Sequence, residues 1–283
     1  MKVKFKNKTS KEIYLKNKDV VYELSCKYSR YLDFNLNLKV IFKSKDANNL
    51  VNARVKKKGK WFYLKIYDVA FSYENEYLES IIFHEFAHIY DYYHVTLNYK
   101  DIDVIKTPLD AKIDLGYTFW TEFFAFYKSF YYRYSNPNES YTLLELVSKY
   151  QKISKKTEII MKMIVNEEKK TKEIDSKIYD VLNLLKEFSY EVARYIAAFS
   201  FKRKYDYNQK HKNKKAFNEV NTIINDLAFL VEKMTHGTYG RYMVRRLEKI
   251  GDYISREIFS RFNLQLDSYK GKTAFTYEFD MEA

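Results

Sequence analysis

The stretch Ser80-Ile81-Ile82-Phe83-His84-Glu85-Phe86-Ala87-His88-Ile89-Tyr90-Asp91 limits what this chain can fold into more than any other. Two histidines four residues apart, with a glutamate directly after the first, read H-E-x-x-H. On an α-helix such positions lie on one face, about one turn apart. The spacing sets the His84 and His88 imidazoles side by side, close enough to hold one divalent cation. Glu85 falls on the flank of that face, poorly placed to ligate the same ion but able to reach a water beside it. The surrounding pattern is helical: Leu78, Ile81, Ile82, Phe86 and Ile89 recur at three- and four-residue steps. Ser72 is the expected N-cap, and Glu74 and Glu76 suit the first turn. With 5 His in the chain, the motif arises by accident on the order of once in a few hundred chains. The competing reading is a structural histidine pair.

A zinc site that keeps one position open takes three protein ligands. The third is expected from Thr118-Phe119-Trp120-Thr121-Glu122-Phe123-Phe124-Ala125-Phe126-Tyr127. Glu122 is the only acid between Asp114 and Glu139, and its neighbours are mostly aromatic or small. An isolated carboxylate buried in such a stretch is costly unless something compensates its charge, and a cation does so. The alternative is a solvent stripe shared with Lys128. Six residues separate the two, which puts them on different faces of a helix.

HEFAH followed downstream by a helix carrying E-F-F-A resembles a gluzincin, a zinc metallopeptidase with a His-His-Glu centre. The motif is closest to the anthrax-lethal-factor-like group, on His84-Glu85-Phe86-Ala87-His88, Asp91 and Glu122-Phe123-Phe124-Ala125. The resemblance covers residues 36–134. It implies an α+β fold with a minimal zincin core: a small antiparallel sheet, the H-E-x-x-H helix and a glutamate helix. It further implies hydrolysis of peptide bonds, with Zn²⁺ held by His84, His88 and Glu122 and with Glu85 as general base. Asp91 matches an outer hydrogen bond that orients a ligand imidazole. The chain departs from the group at Leu115, where the group carries a tyrosine. Tyr117 and Tyr127, near Glu122, are the substitutes considered as oxyanion donors.

Residues 1–9 read as an extended or loose segment. A helix is expected from Asn17 to Asp33, then strands over 35–42, 50–57 and 61–69, the last two joined at Lys58-Gly59. Trp61 to Val69 is the expected edge strand, pairing with an extended peptide substrate. Val95 to Gly116, with Pro108, reads as an irregular connector. Ser135 to Ser140 reads as a linker. After it, four apolar stripes suggest an antiparallel helical bundle. The expected division is a metallopeptidase core over 1–134, a bundle over 141–264 and a tail over 265–283. His94 reads as structural and His211 as exposed; His236 sits at a helix end, where a C-cap or dipole role is natural, with an oxyanion donor as its alternative.

The single Cys26 cannot form an internal disulfide, which fits a reducing compartment, and no signal peptide or membrane span is read, so the expected location is cytoplasmic. The net charge of +13 raises nucleic acid as a partner. Abundant Lys, Asn, Tyr, Ile and Phe beside only 6 Gly and 2 Pro give a duller cause, A/T-rich codon usage. The basic cluster Arg54-Lys56-Lys57-Lys58-Lys60 reads as a solvated turn. Three functions follow: a zinc peptidase acting on peptide or protein, a non-catalytic or regulatory DNA- or protein-binding module, and a non-peptidase zinc hydrolase.

Overall fold

The computed structural model describes residues 2–5, 8–29, 37–43, 53–72, 75–98, 108–133, 143–166, 171–202, 214–235, 243–259, 264–269 and 272–277. Among them the fold is mixed α and β and mostly helical. The chain divides into two compact units, residues 1–94 with 124–139, and residues 95–123 with 140–283. The expected linker at 135–140 lies outside the described residues.

In the first unit, β1 (Lys2–Phe5), β2 (Leu38–Lys43), β3 (Ala53–Lys58) and β4 (Trp61–Tyr67) form one sheet in the order β1-β2-β4-β3. The sheet is mixed, not antiparallel as expected: β1 with β2 and β2 with β4 are parallel, and only β3 with β4 is antiparallel. A parallel pair needs a crossover, and α1 (Lys8–Ser29) lies between β1 and β2 in the chain. The β3–β4 hairpin turns at Gly59, whose φ of +56° is the left-handed conformation glycine adopts without a Cβ clash. After Tyr67 the chain enters a 3-10 turn, Asp68–Ser72, where Asp68 Oδ1 accepts the Val69 N–H at 2.8 Å.

Helix α2 (Asn75–Asn98) carries the H-E-x-x-H motif. Ser72 does not aim its side chain at this helix; its hydroxyl donates back to the Val69 carbonyl at 2.7 Å. The alternation along β2 and β4 buries Leu38, Val40, Phe42, Phe62, Leu64 and Ile66 on one sheet face. Against that face α1 sets Val21, Leu24 and Tyr28, and α2 sets Leu78, Ile82, Phe83, Phe86 and Ile89. Each such side chain contributes roughly 1.5–3 kcal/mol on full burial. The Tyr28 hydroxyl donates to Glu79 Oε1 at 2.6 Å, and Lys27 pairs with the same carboxylate, so α1 is tied to α2 beside their apolar contact.

Helix α3 (Pro108–Arg133) starts in the second unit and ends in the first. The irregular connector expected over 95–116 is therefore helical at both ends, with only 99–107 outside the described residues. Pro108 is the first helical residue, where its missing N–H loses nothing. Gly116 sits inside the helix because another backbone passes there. A Cβ on Gly116 would stand 1.8 Å from the Leu247 carbonyl oxygen, and one on Gly251 would stand 1.8 Å from that of Lys112.

The second unit also holds α4 (Leu143–Asn166), α5 (Thr171–Lys202), α6 (Lys214–Thr235) and α7 (Met243–Phe259). These follow the four apolar stripes; α4 packs on α5 and α6, and α7 on the same two. Their inward positions are buried, among them Leu146, Ile153, Leu185, Val192, Ile224, Leu227, Leu247 and Ile254. Lys112 pairs with Asp252 at 2.7 Å beside the glycine crossing, and Lys186 with Asp114 at 2.6 Å. The expected tail contains a hairpin, β5 (Leu264–Tyr269) with β6 (Lys272–Tyr277). No helix among the described residues is long and apolar enough to cross a membrane.

Candidate metal centre

The helical reading of residues 78–91 puts His84 and His88 one turn apart, and α2 does so. Their Nε2 atoms are 3.0 Å apart, with the rings edge to face at 86°. A neutral pair in complementary tautomers can share one proton at that distance. A single cation can also take the proton's place. Two nitrogens at zinc-bond length in a tetrahedral arrangement are separated by about 3.3 Å, close to what is present.

The Phe126 ring packs on His84, with centroids 4.5 Å apart. Because α3 is unbroken, Glu122 lies one turn before Phe126 on the same stripe. His84, His88 and Glu122 each offer one ligand atom, and all three atoms lie within 4.8 Å of one another. All three residues are half-buried, and Glu122 Oε2 is shut from solvent. Two imidazoles and a carboxylate are a zinc donor set with one place left open. The residues thus fit the ion that the motif implies. Lys128 is exposed, with its ammonium 5.4 Å from the Phe124 ring, while Glu122 is half-buried.

Glu85 is 8% exposed, on the flank of α2. Its Oε2 accepts the backbone N–H of Val55 at 2.6 Å. That contact corrects one expectation. Trp61 to Val69 was to be the sheet edge, but β4 pairs on both sides, with β2 and with β3. Among the described residues the edge beside Glu85 is β3. In an antiparallel ladder the main-chain groups of alternate residues point the same way. Those of Ala53 and Lys57 therefore share the outward direction of Val55. The signal was present in the sequence: Ala53-Arg54-Val55-Lys56-Lys57-Lys58 is rich in lysine, as edge strands are.

Asp91 is fully buried on α2, on the stripe of His84. Tyr117 and Tyr127 are half-buried on α3. Each is five residues from Glu122 and so about 140° around the helix from it. The structure does not bring either onto the glutamate's face. Leu115 does share that face and is buried. His94 lies in α2, while His211 and His236 fall outside the described residues. No family model, no curated protein and no solved structure matches the chain.

Proposed function

We propose that this chain is a zinc-dependent metallopeptidase with a zincin-like core of the gluzincin type. One observation carries the reading: His84, His88 and Glu122 converge to within 4.8 Å although Glu122 stands 34 residues after His88. Glu85, next to His84, reaches β3, the sheet edge among the described residues, where the outward main-chain groups of Ala53 and Lys57 would grip an extended chain. The resemblance of HEFAH and EFFA to gluzincins adds to this.

Bound zinc would supply a Lewis acid that lowers the pKa of a water to about 7 and polarises a carbonyl. The protein's own groups do the rest. Glu85 takes the proton from the attacking water and returns it to the leaving amine. Ala53 and Lys57 offer main-chain groups to an extended peptide, fixing its register. Phe126 packs on His84, and Ile89 and Phe86 bury the inner face of the ligand helix. Asp91 is the residue to orient a ligand ring. The lone Cys26 suits a reducing, cytoplasmic setting.

The test is a peptide-library digest with zinc-loaded protein and its Glu85→Gln variant. Cleavage by the first and none by the second is expected. Equal cleavage by both, or none by the loaded wild type, removes the reading.

A further inference from the structure

The sheet has a second face, opposite the one that α1 and α2 cover. Strand alternation and register lay it out as a grid. Lys39, Tyr63 and Lys56 form one row across β2, β4 and β3. Ile41, Lys65 and Arg54 form the next, and Trp61 with Lys58 flanks the first on its other side. Lys43 continues β2. Neighbouring strands are about 4.8 Å apart, and successive residues on one face about 6.8 Å.

All of these side chains are exposed or half-exposed. Six are cationic and none is acidic: Lys39, Lys43, Arg54, Lys56, Lys58 and Lys65. At the chain's ratio of 50 Lys+Arg to 37 Asp+Glu, six charged positions would all be cationic roughly once in thirty. Codon bias that enriches lysine everywhere does not segregate it from acids on one face. The two aromatics sit within the charge. Lys39 Nζ lies 4.1 Å from the Trp61 ring centroid and 5.3 Å from that of Tyr63.

We propose that this sheet face binds single-stranded nucleic acid. Phosphates lie along the Lys and Arg rows, and bases stack on Trp61 and Tyr63. Charge complementarity selects an anionic polymer. The aromatic pair selects one with open π-faces, which a duplex hides within its stack. An anionic membrane would use apolar side chains that insert, and Ile41 is the one aliphatic residue on the grid. The Lys39 contact, between half-exposed side chains, is weak enough to give way to a base. The inference is independent of the zinc reading, since it uses the opposite sheet face and no metal.

The test is fluorescence anisotropy with labelled 12-nucleotide U and A oligonucleotides, the matching duplex, and phosphatidylglycerol vesicles as competitor. Oligonucleotide binding should weaken with salt at a log–log slope of about −3 to −4, given roughly 0.7 per neutralised phosphate. Lys39→Gln/Lys56→Gln/Lys65→Gln should reduce that slope by about 2 and weaken binding at least tenfold. Lys152→Gln/Lys155→Gln/Lys156→Gln, the same charge change on the exposed face of α4, should shift affinity less than twofold. Oligonucleotide should also quench tryptophan emission, and Trp61→Phe should abolish the quench, since the other tryptophan, Trp120, is 2% exposed. No oligonucleotide binding at 50 mM salt, equal losses in the two triple variants, or binding confined to the vesicles overturns the proposal.

Discussion

The backbone N–H of Val55 donates to Glu85 Oε2 over 2.6 Å. This one contact joins the helix that carries the motif to the edge strand of the sheet. It holds one carboxylate oxygen on β3. A charge-assisted bond of this kind is stronger than a neutral one, so it orients the carboxylate as well as stabilising it.

On the proposed function, replacing Glu85 while keeping His84, His88 and Glu122 separates metal binding from chemistry. Glu85→Gln should bind zinc as the wild type does and lose peptide cleavage by about 10²- to 10⁴-fold. Val55→Pro deletes the donor while an edge strand tolerates the ring. It should keep zinc and lower kcat/KM by roughly tenfold, as expected for one hydrogen bond to a charged group. Competition with a chromophoric zinc chelator and steady-state cleavage measure both.

Isothermal titration should give one zinc per chain. Glu122→Ala should weaken it by well over 100-fold, because removing a ligand exceeds the 10- to 100-fold typical of an outer residue. Asp91→Asn should fall within that smaller range. An unchanged affinity in Glu122→Ala would place the third ligand elsewhere.

The crossing of α3 and α7 leaves no room for a methyl group. Gly251→Ala drives a Cβ to 1.8 Å from the Lys112 carbonyl, a backbone atom that cannot step aside as a side chain would. Destabilisation of about 3 kcal/mol is expected, the upper range for overpacking. Urea unfolding measures it. Gly59→Ala meets open space but keeps a φ of +56°, and should cost about 1 kcal/mol.

Tyr253 donates its hydroxyl to Asp226 Oδ2 at 2.7 Å. Burial, then that bond to a carboxylate, holds the phenol well above its ordinary value of 10.0. The unfolded chain therefore loses this proton first. The contribution to stability is complete below pH 10 and declines as pH rises above it. Tyr253→Phe should flatten that alkaline decline, read as the denaturation midpoint between pH 9 and 11.

Local pattern determined a good deal. The three- and four-residue steps around His84 and His88 specify a helix face, and that face alone sets the two imidazoles together. The four apolar stripes after residue 141 specify α4 to α7, because an amphipathic helix is defined by its own residues. The reading of 95–116 as an irregular connector fails because a proline or a glycine looks the same in sequence whether it ends a helix, begins one or meets a neighbour. Strand order was equally hidden. Nothing in Trp61 to Tyr67 reveals that β2 joins it in parallel, because that pairing is made by distant residues and leaves no local mark. The sequence by itself determined which side chains could hold a cation. Only the tertiary structure decided that Glu122 reaches the two histidines and that β3, not β4, lies over Glu85, because long-range packing sets both.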